Sequence, residues 1–143
     1  MSRRRQAREL AAQMLYQADL GASSFDDVFT GFPRDQIGEA GAEEIFAYAT
    51  KLTQTTLDNL QRIDDLIEEQ ADHWRLERMS PVDRNILRLA VGEFLFEEDV
   101  PKLVVVDEAI ELGKRLGSEK SGAFINGVLD GMLKRHQFPG SMQ

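Results

Sequence analysis

Cysteine is absent from this 143-residue chain, and histidine occurs only at His73 and His136. Without thiols there are no disulfides and no thiolate chemistry, which suits a reducing compartment. Two histidines with no second one at ligand spacing give no zinc signature. No apolar run reaches the ~20 residues that a membrane-spanning helix needs. The opening arginines are not followed by an apolar h-region, because Gln6, Arg8, Glu9 and Gln13 interrupt it, so no secretory signal is read there. Gly-rich phosphate loops, nucleophile elbows and HExxH motifs are missing as well. The expectation is therefore a protein of the cytoplasm with no cofactor, no metal and no membrane contact, and a binding protein rather than an enzyme.

Positive charge is also scarce, but unevenly so. The formal net charge is −8, from 17 Lys and Arg against 25 Asp and Glu. Yet the first ten residues, MSRRRQAREL, hold Arg3, Arg4, Arg5 and Arg8 against Glu9 alone. Most of the surface repels polyanions, while one end attracts them locally, within a Debye length of ~8 Å at physiological salt. Such a head is either a nucleic-acid contact or a solvated, solubilising terminus.

What is plentiful is helical periodicity. Ala7, Leu10, Ala11, Met14, Leu15 and Ala18 form one stripe of a helix from about Arg4 to Leu20, with Gly21 as its stop. Arg5, Arg8, Ala12 and Tyr16 line the adjacent face. Tyr16 there is either a core-edge aromatic or a contact residue. Residues 21–42 are punctuated by glycines, with a short helix near Asp26–Thr30 capped by Ser24. From Ala42 to Trp74 the apolar positions step by three or four, giving one long helix or two with a bend, with a solvated acidic face. Ser80 before Pro81, with Asp83 three residues on, starts a helix. Val82, Ile86, Leu87, Leu89, Ala90, Val91, Phe94 and Leu95 cover nearly its whole circumference, so it is central and buried. Glu93 shares a row with Val82, Ile86 and Leu89, which suggests an acid paired with a nearby arginine. A further helix runs to Leu116, stopped by Gly117, and Ser118 caps the last. Past Arg135 the tail HQFPGSMQ is expected to fray. The fold class is all-α, six or seven helices without an internal repeat, as one domain over 1–136 followed by the tail 137–143.

The last helix bears on the arginine head. Lys120, Phe124, Gly127, Gly131 and Arg135 share a stripe, and Phe124 lies at the edge of the apolar arc. An aromatic flanked by cations is a stacking platform for a single-stranded base, worth ~1–3 kcal/mol. The alternative is a core phenylalanine with glycines that permit close helix packing.

Three stretches together carry a resemblance: RRRQARELAAQMLYQ at 3–17, RMSPVDRNILRLAVGEF at 78–94 and VPKLVVVDEAIELGKRLGSEKSGAFINGVLD at 100–130. They resemble the NusB family of bacterial transcription antitermination factors, over essentially the whole chain and most weakly at 21–75. The same fold serves as an N-terminal module of some ribosomal-RNA methyltransferases, but 143 residues leave no room for a catalytic domain. The resemblance implies two small helical bundles packed across each other. It implies pairing with NusE, a small-subunit ribosomal protein, binding of single-stranded boxA RNA from ribosomal-RNA operons, and loading of an antitermination complex on RNA polymerase. It carries the RNA role onto Arg3, Arg4, Arg5, Arg8, Lys120 and Phe124, and the NusE role onto Tyr16, Leu20 and Asp83. Some relatives form a homodimer through the same surface. Two positions depart from the family pattern: Ala123 stands where a basic residue is frequent, with Lys120 one turn earlier, and Gly92 where an aromatic is frequent. A second class of function stays open, a protein-interaction scaffold whose arginines are incidental.

Overall fold

The computed structural model describes residues 2–21, 41–71 and 75–143. Among them are six α-helices and no strand: α1 (Arg3–Gly21), α2 (Ala42–Asp58), α3 (Leu60–Gln70), α4 (Pro81–Phe96), α5 (Lys102–Leu116) and α6 (Ser121–Arg135). A 3-10 turn, Leu76–Arg78, leads into α4. The expected helix near Asp26–Thr30, and His73 and Trp74, lie outside the described residues.

The long periodic stretch resolves into two helices. Asn59 breaks the backbone at φ −123°, and its side-chain amide donates to the Thr55 carbonyl at 2.8 Å. Within α2, Thr53 and Thr56 are buried because each hydroxyl donates to a carbonyl one turn back, Ala49 and Leu52, both at 2.8 Å.

Helix α4 is the hub. Ser80 Oγ accepts the Asp83 N–H at 3.1 Å, and Pro81 occupies the first turn, where its missing donor costs nothing. Ten of its sixteen residues are buried, including every position from Leu89 to Leu95. It touches each of the other five helices among the described residues. On one side α1 and α2 pack together and against it; on the other, α5 and α6 do so, with α3 lying against α4 and α6. These are two small groups of helices sharing a central member. Gly92 is a point of close approach: a Cβ there would stand 2.8 Å from Thr56 Oγ1 on α2. A side chain at Gly92 would therefore push α2 away from α4.

The tail does not fray. Phe138 packs on Phe94 with ring centroids 5.2 Å apart. Ser141 and Met142 then place their carbonyls on the N–H groups of Lys102 and Leu103, at 3.0 and 2.9 Å. Helix α5 begins at Pro101 without a side-chain cap, so these carbonyls satisfy two of its orphan donors. Gly140, at φ +94°, lets the chain cross the Glu98 carbonyl, where a side chain would collide.

Candidate nucleic-acid and partner interface

Because successive helical residues are ~100° apart, the four arginines of α1 point to different neighbours. Arg3 pairs with Glu44 on α2 at 2.7 Å, both side chains more than half exposed. Arg4 lies over the ring of Tyr48 on α2, 3.7 Å from its centroid. Arg5 turns to α5 and pairs with Glu108 at 2.9 Å. Arg8 points inward. It is 4% exposed and bonds Glu93 through Nε and Nη2 at 2.9–3.1 Å.

Arg8 thus corrects the expected surface set: its guanidinium is spent in the core, where it neutralises a carboxylate that is 2% exposed. The pairing expected for Glu93 is met, and Arg8 is the arginine that meets it. Burial pushes the Glu93 carboxyl above its ordinary range, against the hydrogen bonds and charge of Arg8, which pull it down. The signal was in the sequence: Arg8 shares its helical row with Ala12 and Leu15, both buried.

The stripe on α6 divides in two. Lys120 is exposed at the N-cap, and Phe124, one turn on, is half-buried against the core. A Cβ on Gly127 would meet nothing within 4 Å, so the surface beyond Phe124 is open there. Gly131 follows the close-packing alternative: a Cβ there would run into the Gln70 side chain. Arg135 is drawn to α3 too, 3.6 Å from a Glu69 carboxylate oxygen. The Lys120–Gly127 half stays open to solvent. Ser118 does not cap α6 in the simple sense; its N–H donates to Ser121 Oγ at 3.0 Å.

At the far end of α1 the character changes. Tyr16 and Leu20 are 37% and 53% exposed. Tyr16 lines an open groove of about 330 Å³ with Ala12, Gln13, Val82, Ile86 and Leu116, whose exposed surface is mainly apolar. Asp83 follows Val82 in the first turn of α4, and its Oδ1 is buried without a hydrogen-bond partner. Asp19 locks the two helices together: it accepts from Arg84 at 2.6 Å and Asn85 at 2.9 Å, and Arg88 stands 3.4 Å away. Burial raises the Asp19 pKa, but these donors and charges outweigh it and hold the carboxyl below its ordinary value. Sequence reading missed this lock, since nothing marks Asp19 among the many acids.

Among the described residues no group of three or more His, Asp or Glu is placed to hold a metal, and no helix is long and apolar enough to cross a membrane.

The model of the NusB family matches residues 5–134. The chain belongs to the NusB family. The transcription antitermination protein NusB of Anaeromyxobacter dehalogenans is 49% identical over 129 residues, 90% of this chain and 89% of the relative. That of Desulfosudis oleivorans is 43% identical over 135 residues, 94% and 87% of the two chains. Two NusB-family structures share the fold. T. maritima NusB is 37% identical, with a TM-score of 0.80 over 95% of this chain and 93% of its own. The antitermination factors NusB and NusE in complex with dsRNA include a chain 31% identical, with a TM-score of 0.78 over 95% and 99%. The likeness thus extends beyond the α1, α4 and α5–α6 stretches to 95% of the chain.

Proposed function

We propose that this chain is a non-enzymatic antitermination subunit that pairs with NusE, binds boxA-type single-stranded RNA of ribosomal-RNA operons and helps load an antitermination complex on RNA polymerase in the cytoplasm. The observation that carries the reading is the likeness, over 95% of the chain, to a protein of the complex of NusB and NusE with dsRNA. The geometry supports it in two places. Arg3, Arg4 and Arg5 at the head of α1 and the Lys120–Phe124 platform of α6 supply cations and a stacking face. Tyr16 lines an apolar groove for the protein partner, with exposed Leu20 one turn on along α1 and Asp83 next to the lining residue Val82; a second copy of the chain is the competing occupant.

Arg8 acts in this reading only as a core residue. The remaining phosphate contacts are few, and few contacts give weak, salt-sensitive binding. A protein partner that enlarges the RNA site answers that weakness, and an acidic body suits a basic partner. The scaffold reading has one observation of its own: Arg3 and Arg5 already pair with carboxylates of this chain. Titration of a boxA-like RNA, with and without NusE, decides between them. Binding that strengthens with NusE and weakens with salt supports the RNA reading. NusE binding with no RNA affinity in either condition supports the scaffold.

A further inference from the structure

The family resemblance drew attention to the arginines of α1 and to α6, and the side chain of Arg4 extends from α1 toward α2. There it covers the half-buried ring of Tyr48, 3.7 Å from the centroid, and the Lys51 ammonium stands 5.9 Å from the same centroid. Around this ring is an open cleft of about 290 Å³ between α1 and α2, with Arg3 and Glu44 at its rim.

Two acids face the cleft, and both are already balanced. Glu44 pairs with Arg3 at 2.7 Å. Glu97 accepts from Lys51 at 3.1 Å and lies 3.5 Å from the Tyr48 hydroxyl. Three cations against two acids make this a locally positive corner on a chain of net charge −8. The Lys51 side chain is 59% exposed, so its ammonium can turn to a phosphate at little cost. A guanidinium plane on an aromatic ring is a surface on which a base stacks.

We propose that this α1–α2 cleft is a second nucleotide site, which takes one base of single-stranded RNA against Arg4 and Tyr48 and its phosphate on Lys51. The proposal rests on the RNA reading above and extends it. The arginine head then lies between two aromatic–cation platforms, Phe124 with Lys120 on α6 and Tyr48 with Arg4 on α2. RNA crosses the head rather than ending on it. Neither Tyr48 nor Lys51 stood out in the sequence, because the pairing exists only once α1 packs on α2.

The test uses the full chain with NusE, a minimal boxA-type RNA, and the same RNA extended by a few nucleotides at either end. For the unaltered protein, extension at one end tightens binding about tenfold, the effect of roughly one added stacked base. Tyr48→Leu and Lys51→Gln each remove most of that gain and leave the minimal RNA bound as before. The exposed Lys51→Gln variant keeps the test valid if Tyr48→Leu fails to fold. The cleft assignment alone is overturned if extension gives no gain, or if both variants keep the full gain. A loss of NusE affinity measured without RNA gives the cleft to the protein partner and overturns it too. Failure of the unaltered protein to bind the minimal RNA overturns the RNA reading, and the cleft site with it.

Discussion

The two ends of α1 are built on opposite plans. At its N-terminal end every arginine is engaged within the chain: Arg3 on Glu44, Arg4 on Tyr48, Arg5 on Glu108 and Arg8 on Glu93. At its C-terminal end Tyr16 and Leu20 stand exposed beside an apolar groove. The basic end offers charge that must be taken from an internal partner. The apolar end offers surface that is already open. A count of arginines therefore overstates what RNA can gain, by an amount that depends on depth. The exposed Arg3–Glu44 pair is worth at most ~1 kcal/mol and yields readily. The buried Arg8–Glu93 pair does not.

The sharpest way to separate the arginines is to remove the deepest one. Arg8→Ala leaves the Glu93 carboxylate buried without its partner and is expected to cost ~3–5 kcal/mol of stability in a denaturant titration. Arg8→Met with Glu93→Leu removes both charges and should recover most of that loss. A fully stable Arg8→Ala with weakened RNA binding would return Arg8 to the surface set.

Phe124→Ala comes next. Because Phe124 is half-buried and flanked by open space at Gly127, RNA affinity should fall by ~1–3 kcal/mol. The accompanying loss of stability should stay below the ~3–5 kcal/mol of a fully buried phenylalanine. A thermal melt and an RNA titration on the same variant give both numbers, and a large melt shift with unchanged affinity would make Phe124 purely structural.

Asp19 tests the other end of α1. Its folded pKa is depressed, so its contribution to stability is present above the ordinary aspartate value of ~3.9 and is lost as pH falls through the lower folded value. Asp19→Asn should cost about 1–2 kcal/mol at neutral pH, the scale of a hydrogen bond to a charged group. It should also flatten the acid limb of a stability–pH profile below pH ~4. An unchanged acid limb would show that the lock on Arg84 and Asn85 does not depend on charge.

Tyr16→Ala should weaken NusE binding by more than ~1 kcal/mol in calorimetry while helicity and RNA affinity stay level. Asp83→Ala is expected to act in the same direction and less strongly. Equal effects of Tyr16→Ala on NusE and on RNA would dissolve the division between the two ends. The smallest effect belongs to Arg5→Ala: a drop in the salt slope of RNA binding of ~0.7, one single-strand phosphate contact. An unaltered slope would leave Arg5 as a clasp between α1 and α5.

What the sequence disclosed divides along physical lines. Periodicity exposed the helices, since each buries a stripe, and it exposed α4 as the hub because that stripe widens to the full circumference. The Ser80–Pro81–Asp83 start was legible because capping is local. The break at Asn59 was open, as a helix-compatible residue gives no strong stop. Arg8 misled because an arginine reads as surface, and its acid lies 85 residues away on another helix. The choice between the two readings of Gly131 stayed open because the Gln70 side chain that covers it comes from α3. The tail misled because Pro139 and Gly140 look like the punctuation of loose chain, while Phe138 gave the overlooked hint of an anchor.

That anchored tail has a consequence for the order of assembly. The carbonyls of Ser141 and Met142 complete the first turn of α5, some forty residues upstream of them in the chain. During synthesis α5 can coil and meet α4 well before its own beginning is closed. The two contacts are a stitch across the α4–α5 corner, and it can close only once Ser141 and Met142 are present. A bulky fusion attached behind Gln143 would have to leave that stitch undisturbed.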